Sequence, residues 1–521
     1  MLLKERLSHN FLFVILGLII IGSPLFYSFY TDHRWEDYYI AFRSSKNLAL
    51  GHGLVYNIGE KVHSFTSPFG VLIPAILSKL TRSDEATIWI FRLFSCFLLL
   101  GSWLFWVRMI KKANNFNLMM LIFMTLYLAF EIKINAFSMN GMETAFMLFF
   151  VSFAFFCAYH IQTISFYITG FSWAGLMWTR PDSCVYIFIF AISCLIFHKE
   201  NRKLVFFQLL KAGAVCTVLY LPWFLWATWY YGSPVPNSVS AKSMPYPFAH
   251  FKGLIKNCWW LVPERLSLTV LPIYNHFGGW PTWIFPVSKV LALICLTYLI
   301  IPISDKLGKM ISFCILGLGF YASYIVPFPW YFPMISLFVV ILLSRIFYIL
   351  FSNKKTLFLA HGTNFLILGF LFFIFCSSIL TLKHRMKLVD EGSFKQIGLW
   401  LKDNIQNGES VFSEPLGYIG YYSEAKMINF PGLCSPELVE FRKDNSLNMR
   451  NGSYAKCVEH FKPDWIIMRP DEVKHVMAIQ SNKESYQKVK RFDVTAEIDK
   501  VNCYGKPYLY CDSVFTVYKK K

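Results

Sequence analysis

The stretch Trp35-Glu36-Asp37-Tyr38-Tyr39-Ile40-Ala41-Phe42-Arg43 decides the fold, because it directly follows an apolar run, Phe11 to Tyr30. That run is long enough for a helix to cross a bilayer, which takes about 20 residues. It exceeds the apolar core of a cleaved leader, so we predict a signal anchor. The stretch places two adjacent carboxylates at a membrane edge. Carboxylates are costly there and mark functional sites, although a solvated loop beside the membrane is the alternative.

Composition divides the chain into two parts. The 521 residues are 55% hydrophobic and 19% aromatic, with a mean hydropathy of +0.44, which excludes a wholly soluble protein of this length. Of the net charge of +19, residues 1–382 carry +15 and residues 383–521 carry +4. The basic residues lie between apolar spans rather than in one patch. They therefore argue against nucleic acid and favour anionic lipid or a lipid phosphate as partner.

Hydropathy predicts a polytopic α-helical membrane protein with about eleven transmembrane helices. The segments are 11–30, 86–107, 115–131, 141–161, 165–179, 182–198, 205–230, 281–301, 311–326, 332–351 and 364–382. If the spans alternate, five clusters of short-loop lysines and arginines fall on one side, which is the cytoplasm by the positive-inside rule. The clusters are Lys4/Arg6, Arg108/Lys111/Lys112, Lys199/Arg202/Lys203, Lys306/Lys309 and Lys354/Lys355. We therefore predict a multi-pass protein of the bacterial cytoplasmic (inner) membrane with a cytoplasmic N-terminus.

The loops and the C-terminal part are predicted to lie outside. Residues 31–85 form the first external loop, in which the apolar stretch 66–80 is predicted to be an interfacial helix. Residues 250–277 are ambiguous in the same way, and a re-entrant segment is an alternative. Residues 383–521 alternate helix-like and strand-like stretches, so we predict a periplasmic α/β domain. Its predicted elements are an amphipathic helix at 394–405 and strands at 410–413, 426–430 and 464–468.

Four of the thirteen cysteines fall in the predicted external domain: Cys434, Cys457, Cys503 and Cys511. An even number permits two disulfides in an oxidising compartment. Gly505 and Pro507 favour a turn between Cys503 and Cys511, so we predict that pair to be bonded. A cysteine metal site is disfavoured because no CxxC pair occurs. The other nine cysteines lie in or beside spans, where they suit the role of small buried hydrophobes.

Acids and bases are grouped in the predicted external loops. The acids are Glu36, Asp37, Glu60, Glu143 and Asp182; the bases are Arg43, Lys46, Lys61, Arg180 and Lys242, with His52 and His63 beside them. Such a site suits a phosphorylated, lipid-anchored donor and a sugar hydroxyl acceptor. The bases would neutralise the phosphate, and a carboxylate would take the acceptor proton. A divalent cation, Mg²⁺ or Mn²⁺, is one option for bridging carboxylate and phosphate.

Each motif by itself also has a structural interpretation. Gly51-His52-Gly53 suits a simple turn. Thr179-Arg180-Pro181-Asp182 suits the end of a span, where Pro181 breaks the helix and Arg180 reaches toward water. Asn140-Gly141-Met142-Glu143 suits a helix start with an acid near its N-terminus. The functional interpretation therefore depends on how the motifs are ordered along the chain.

That order resembles a known family. The run from Glu36 to Pro68, with its Gly51-His52-Gly53 and Asn57-Ile58-Gly59-Glu60, is similar to the first external loop of GT-C-type glycosyltransferases. The likeness is strongest to the mycobacterial terminal arabinofuranosyltransferase branch, which is related to the aminoarabinose and mannosyl transferases. Further motifs match in the same order: Asn140–Ala145, Thr179–Asp182, Pro236–Lys242, Gly417–Ser423 and Gly432–Glu437. The resemblance thus extends from the first loop into the C-terminal domain.

This resemblance implies an inverting glycosyltransferase. It would move a sugar from a polyprenyl-phosphate donor to an envelope glycan or glycolipid acceptor, such as lipopolysaccharide, on the outer face of the cytoplasmic membrane. The first-loop acid is the family's catalytic position. The family's first Asp is Glu36 in this chain, and its second is Asp37. We assign Asp37 as the base or metal ligand, with Glu36 assisting it or holding a metal.

The resemblance also assigns the remaining site residues. Glu143 is the second catalytic acid, and Arg180 and Lys242 contact the donor phosphate, with His52 and Arg43 as further phosphate-binding candidates. His63-Ser64-Phe65 stands where the family often has Glu-Gly-Tyr, so one acid is lost. The aromatic run Trp330-Tyr331-Phe332 either stacks on sugar or prenyl chain or belongs to an interfacial aromatic belt.

Two other functions remain as alternatives. A flippase for a lipid-linked saccharide would also need acids and bases near lipid phosphate, but would place charge at the bilayer midplane and show two related halves. An oligosaccharide ligase or polymerase would share the site but use a larger donor. A non-catalytic scaffold leaves the ordered motifs unexplained. For any transferase, we expect Asp37, Glu143, Arg180 and Lys242 to converge on one external cavity.

Overall fold

A long helical part is followed by a small domain of helices and sheet. The computed structural model describes residues 2–113, 118–242, 247–325, 328–350, 357–448 and 451–521. The helices of the first part are α1 (Leu2–Thr31), α2 (Glu36–Ala49), α3 (Pro68–Thr81), α4 (Asp84–Lys112), α5 (Leu118–Phe130), α6 (Ile132–Met139), α7 (Thr144–Tyr159), α8 (Phe166–Thr179), α9 (Cys184–Phe197), α10 (Arg202–Tyr231), α11 (Asn237–Ala241), α12 (Pro247–Ser267), α13 (Ile284–Thr297), α14 (Lys306–Tyr324), α15 (Phe332–Leu350) and α16 (Leu357–His384). Short 3-10 turns at Pro181–Ser183 and Pro329–Tyr331 lead into α9 and α15.

Within the described ranges, six helical segments are long and apolar enough to cross a membrane. They are Asn10–Thr31, Asp84–Lys112, Lys199–Tyr231, Lys306–Tyr324, Pro329–Ile346 and Leu357–Asn404. A seventh arises if α5 and α6, bent by 53° at their junction, count as one span. Each predicted segment coincides with a helix, but α5, α7, α8, α9 and α13 have only 13 to 16 residues. The number eleven therefore stays a prediction, as does the orientation, whose Lys354/Lys355 cluster lies outside the described residues.

The helices that follow α1 begin where the sequence places start signals. In α3, the Ser67 hydroxyl accepts a hydrogen bond of 2.8 Å from the Gly70 N–H, and Pro68 occupies the first turn. Glu36 and Asp37 fill the first turn of α2, where the helix dipole favours negative charge. The helix expected at 66–80 is thus present as α3, and its interfacial position stays a prediction.

The C-terminal part contains the expected mixture of helices and strands. The helices are α17 (Gln396–Asn404), α18 (Gly417–Ser423), α19 (Pro436–Asp444), α20 (Asn451–Phe461), α21 (Pro470–Met477), α22 (Gln480–Ser485), α23 (Thr495–Asp499) and α24 (Pro507–Tyr510). The strands are β1 (Ser410–Ser413), β2 (Lys426–Asn429), β3 (Trp465–Met468), β4 (Tyr486–Asp493) and β5 (Val514–Lys520). Their order in the sheet is β2-β1-β3-β5-β4, with β1 parallel to both its neighbours and β5 antiparallel to both of its own.

The three predicted strands are confirmed as β1, β2 and β3, whereas β4 and β5 were not predicted. β1 and β3 are central and almost wholly buried, so their apolar runs are visible in the sequence. β4 is an edge strand that reads Tyr-Gln-Lys-Val-Lys-Arg-Phe-Asp and is mostly exposed. Charged edge strands discourage pairing with other chains, and their sequences lack an apolar signal. The predicted boundary at 382/383 falls inside a continuous helix, since Arg385–Lys395 joins α16 to α17 as π-helix.

The predicted disulfide between Cys503 and Cys511 is not formed. Both thiols are free, and Cys503 is half-buried while Cys511 is exposed. The turn expected between them is present at residues 504–506, where Gly505 has a positive φ of 69°. The short helix α24 then fills the rest of the interval up to Cys511. Cys434 and Cys457 are also free and are buried as small hydrophobes.

The C-terminal domain packs directly on α2 and the loop that follows it. The main contact is α18, in which Gly417 and Gly420 lie close to α2 and to Tyr56. A Cβ atom at Gly417 would come within 1.9 Å of the Glu36 carbonyl oxygen, and one at Gly420 within 1.9 Å of the Tyr56 hydroxyl. Only glycine permits such an approach. This contact explains why the Gly417–Ser423 motif accompanies the first-loop motif.

Candidate active site

One cavity of about 530 Å³ brings the central residues of the predicted site together. Asp37, Glu143, Arg180 and Lys242 all line it, although they come from four separate parts of the chain. Asp182 is the third carboxylate of its wall. One part of the remaining lining is aromatic and includes Tyr321, Tyr324, Phe328, Trp330 and Tyr331. The cavity therefore combines charges of both signs with a surface suited to a lipid or a sugar ring.

The two adjacent acids of α2 differ in their surroundings. Asp37 lines the cavity, whereas the Glu36 carboxylate accepts a hydrogen bond from the Gly417 backbone N–H of α18. Loss of solvation and the neighbouring Asp37 carboxylate raise the pKa of Glu36 well above its usual range, although the Gly417 N–H opposes this. Glu36 is therefore held against the C-terminal domain, and Asp37 is the acid that α2 presents to the cavity.

Arg180 is the centre of a buried ion cluster at the cavity wall. Its guanidinium donates to Glu143 Oε1 at 3.1 Å and to the two oxygens of Asp182 at 3.0 and 3.2 Å. It also donates to the Tyr331 hydroxyl at 3.1 Å, and Tyr321 donates to Asp182 at 3.0 Å. Buried charges persist only when paired in this way. Arg180 is thus committed to two carboxylates, and its positive charge is compensated within the protein.

Lys242 differs from Arg180 in its partners. Within the described part of the chain, no carboxylate lies within 4 Å of its ammonium nitrogen. Its ammonium instead lies over the rings of Phe328 and Trp330, at 4.9 and 5.5 Å from their centroids. Aromatic faces attract a cation without neutralising it. Lys242 is therefore the cavity cation whose charge remains available to an anionic ligand.

The motif around Glu143 is held against the start of α2 by its backbone. The Trp35 N–H donates to the Asn140 carbonyl at 3.1 Å, and the Met142 N–H donates to the Asn140 side chain at 3.1 Å. Gly141 has a positive φ of 96° and lies against the Tyr38 ring, where a Cβ atom would come within 2.3 Å. This glycine is thus needed both for the turn and for close packing.

Two predicted phosphate-binding residues are not brought to the cavity. His52 is exposed in the turn after α2, between two glycines of positive φ. Arg43 is buried and donates to the carbonyl oxygens of Gly420 at 2.6 Å and Ala425 at 2.8 Å. Its guanidinium is therefore used to dock the C-terminal domain, and it is not free to contact a donor phosphate in this arrangement.

The acids of the site do not form a metal site by themselves. In the described ranges, no three His, Cys, Asp or Glu side chains are close enough to hold a metal ion. Mg²⁺ and Mn²⁺ require several oxygen ligands. The predicted option was a cation that bridges a carboxylate and the donor phosphate, which needs fewer protein ligands. That option, with Asp37 and Glu36 as ligands, stays a prediction.

Several further residues of the cavity were placed by the sequence only as members of a motif or of a group of acids. Asp182 stands in the Thr179–Asp182 motif. The sequence shows that it lies two residues after Arg180, but not that the two side chains form an ion pair. Tyr331 belongs to the aromatic run at 330–332, of which Trp330 and Tyr331 line the cavity. Ser64 and Ser238 also line it. Each of these positions lay inside a motif, so the motifs marked the segments without identifying which side chains face the cavity.

Comparison with solved structures identifies the fold. The chain matches the crystal structure of ArnT from Cupriavidus metallidurans bound to undecaprenyl phosphate with a TM-score of 0.52 at 12% identity, covering 98% of this chain and 98% of that chain. It matches ArnT from Cupriavidus metallidurans in the apo state with a TM-score of 0.52 at 11% identity, covering 99% and 98%. A family model described as "Domain of unknown function (DUF8728)" matches residues 382–518. A comparison with curated proteins finds no match.

The chain therefore has a GT-C fold, since ArnT is a GT-C glycosyltransferase. Together with the long apolar helices, this fold makes it a multi-pass membrane protein. The comparison supports the GT-C class of the predicted resemblance. It does not bear on the mycobacterial arabinofuranosyltransferase branch, which is suggested by the sequence motifs alone.

Proposed function

We propose that this chain is a glycosyltransferase that transfers a sugar from a polyprenyl-phosphate donor to an envelope glycan or glycolipid, such as lipopolysaccharide. One observation carries the proposal: a single cavity in a GT-C fold combines the first-loop acid Asp37 with the uncompensated cation Lys242. ArnT, which shares the fold, binds undecaprenyl phosphate in its crystal structure. The aromatic wall beside Lys242 supports a lipid-linked ligand, because it offers apolar surface next to a cation.

The proposed reaction is a single displacement at the anomeric carbon. The acceptor hydroxyl oxygen attacks that carbon, and the bond to the phosphate oxygen breaks with its electron pair leaving on the polyprenyl phosphate. Asp37 takes the acceptor proton, and Lys242 stabilises the charge that develops on the phosphate. Attack from the face opposite the leaving group inverts the anomeric centre. The polyprenyl phosphate is a stable anion, so it needs no strong general acid.

Arg180 has a positioning part in this proposal. Because it pairs with Glu143 and Asp182, it holds both carboxylates at the cavity wall. A donor phosphate would meet in Arg180 a guanidinium whose charge Glu143 and Asp182 already compensate. Lys242 is therefore the primary phosphate contact that we propose, and Glu143 supports Asp37 as a second acid of the same wall.

We propose that the reaction occurs at the outer face of the bacterial cytoplasmic membrane. The support is the distribution of basic residues, which falls on the side opposite Asp37 if the spans alternate. Nucleotide sugars do not reach that face, so a lipid-linked donor is the form of activated sugar that is present there. The C-terminal domain, which packs on α2, would then be periplasmic.

The test compares two neighbouring acids in a strain that lacks the chromosomal copy of this chain. Removal of a general base lowers rates by roughly 100- to 10,000-fold, so Asp37→Asn should abolish the envelope glycan and let the lipid-linked sugar accumulate. Glu36→Gln should retain most of the transfer, because a neutral amide oxygen still accepts from the Gly417 N–H. Mass spectrometry of the glycan and of the lipid extract measures both outcomes.

Glu60→Gln is the matched control, since Glu60 lies in the same loop but pairs with Lys426 at 2.7 Å. If Asp37→Asn inserts normally and restores the glycan fully, Asp37 is not the base. Assays of the purified protein in vesicles distinguish the proposed transferase from a flippase and from an oligosaccharide ligase. Movement of the lipid-linked sugar between leaflets without its consumption would indicate a flippase, and transfer of whole oligosaccharides would indicate a ligase.

A further inference from the structure

Two serine hydroxyls of the cavity wall lack partners. Ser64 and Ser238 line the cavity, and their side chains are 3% and 7% exposed. Neither hydroxyl oxygen has a hydrogen-bond partner among the residues that the structure describes. Buried polar groups are nearly always hydrogen-bonded, and each exception needs an explanation. Serine reaches three staggered rotamers, so its hydroxyl can turn toward a ligand that fills the cavity.

The two segments that carry the serines are joined by a backbone hydrogen bond. The Asn237 N–H donates to the His63 carbonyl at 2.8 Å, and each serine directly follows one of these residues. Ser238 lies in α11, and Lys242 directly follows that helix. Both serines thus line the same cavity as the cation that we propose for the donor phosphate.

The same segment reaches the acids of the site at its other end. Ser67 caps α3, and a Cβ atom at Gly70 would meet the Glu143 Cβ atom at 3.5 Å. The stretch from Ser64 to Gly70 thus runs along the wall from the Lys242 segment toward Glu143. In the proposed reaction, the sugar ring occupies this interval, since it lies between the phosphate and the carboxylate that takes the acceptor proton.

We propose that Ser64 and Ser238 bind the sugar of the donor by hydrogen bonds to its ring hydroxyls, and that they contribute to the choice of sugar. Hydroxyl groups suit this role because each can both donate to and accept from a sugar hydroxyl. A site built to hydrogen-bond a ligand group discriminates strongly against ligands that lack it. Ser64 stands in the His63-Ser64-Phe65 run, where this chain departs from the arabinofuranosyltransferase pattern. The assignment rests on the proposed function and deepens it.

The test measures binding by the full-length chain in lipid nanodiscs. The probes are undecaprenyl phosphate alone and undecaprenyl phosphate carrying arabinofuranose, mannose, glucose or galactose. Ser64→Ala and Ser238→Ala should each weaken the tightest sugar-bearing probe by about 3- to 10-fold, as expected for one lost neutral hydrogen bond. Both should leave the affinity for undecaprenyl phosphate unchanged. The double variant should bind the sugar-bearing and sugar-free probes almost equally.

Ser95→Ala is the matched control, because the Ser95 hydroxyl is also buried and has no hydrogen-bond partner in the described ranges, but it does not line the cavity. It should bind every probe as the wild type does. The assignment would be overturned if the serine variants weakened binding of sugar-bearing and sugar-free probes equally. It would also be overturned if the wild type bound no sugar-bearing probe more tightly than undecaprenyl phosphate alone. Failure of the wild type to bind undecaprenyl phosphate would instead count against the proposed function itself.

Discussion

At the residue scale, the site is organised by which charges are already paired. Asp37 and Glu36 are adjacent, yet one lines the cavity and the other accepts from the Gly417 N–H. Arg180 is paired with two carboxylates, whereas Lys242 contacts only aromatic faces in the described part of the chain. A phosphate arriving in the cavity gains most from the cation that has no anionic partner, because no existing ion pair has to be broken.

Lys242→Ala is therefore expected to weaken binding of undecaprenyl phosphate by roughly 10- to 100-fold, the effect of one lost charged hydrogen bond. Lys242→Arg should recover part of the affinity. The measurement is a titration of the purified chain in nanodiscs at constant ionic strength. Lys61→Ala serves as the control, since Lys61 also lies over an aromatic ring, that of Tyr230 at 5.0 Å, outside the cavity. Equal losses in the two variants would show only a general effect of surface charge.

At the element scale, the C-terminal domain holds the segments that carry the site. Asn237, which begins α11, donates its side-chain amide to the Gly432 carbonyl at 2.7 Å. Arg442 of α19 donates to the Ala241 carbonyl at 3.2 Å and to the Pro431 carbonyl at 2.8 Å. Ala241 directly precedes Lys242. Both ends of α11 are thus tied to the domain, and we infer that the domain positions Lys242.

Arg442→Ala should raise the Michaelis constant for the donor by about 5- to 10-fold, since two carbonyl groups lose their donor and α11 is released. The rate at saturating donor should change little, and Arg442→Lys should restore much of the loss. Arg491→Ala, at an exposed ion pair with Asp493, is the control. The decisive measurement is a double variant. If Arg442 acts through Lys242, its loss has little further effect in the Lys242→Ala background; additive losses would contradict this role.

At the scale of the whole molecule, a buried ion network joins the helical part to the C-terminal domain. Asp512 accepts from Arg385, in the extension of α16, at 2.6 Å and from Arg469 at 2.7 Å. Burial alone would raise the pKa of Asp512, but Arg469 and Arg385 lower it to about 2. Arg385 also pairs with Asp390, and Arg469 with Glu414. Asp512 is therefore the anion shared by both sides of the junction.

Asp512→Asn is expected to lower the free energy of unfolding by about 3 kcal/mol, because two buried guanidinium groups lose their shared anion. A carboxylate of lowered pKa stabilises the folded state above its ordinary pKa, near 4, and this contribution disappears as the pH falls toward 2. The gap in melting temperature between wild type and variant in detergent should thus be constant from pH 5 to 7 and close only below about pH 4.

Asp471→Asn is the control, since Asp471 forms an exposed pair with Lys474, and it should change the melting temperature little. A gap that closes near neutral pH would contradict this account.

Much of the fold was predictable from local patterns. The apolar segments coincide with helices, α3 begins at its serine and proline signals, and β1, β2 and β3 lie where buried runs were expected. β4 was missed because an exposed edge strand carries no apolar signal. Cys503 and Cys511 are free thiols although the turn expected between them forms at residues 504–506, because sequence spacing reveals proximity along the chain only.

The sequence by itself determined the helical membrane architecture, three of the five strands of the C-terminal sheet and the motifs that carry Asp37, Glu143, Arg180 and Lys242. These follow from hydropathy and from residue type, which are local properties of the chain. Only the tertiary structure decided which polar groups are free. It turned Asp37 to the cavity and Glu36 to Gly417, and it used Arg43 for docking. It also left the Ser64 and Ser238 hydroxyls without a hydrogen-bond partner among the described residues. Whether each polar side chain is paired depends on residues distant in sequence. The roles of the site residues therefore become distinct only when the chain folds.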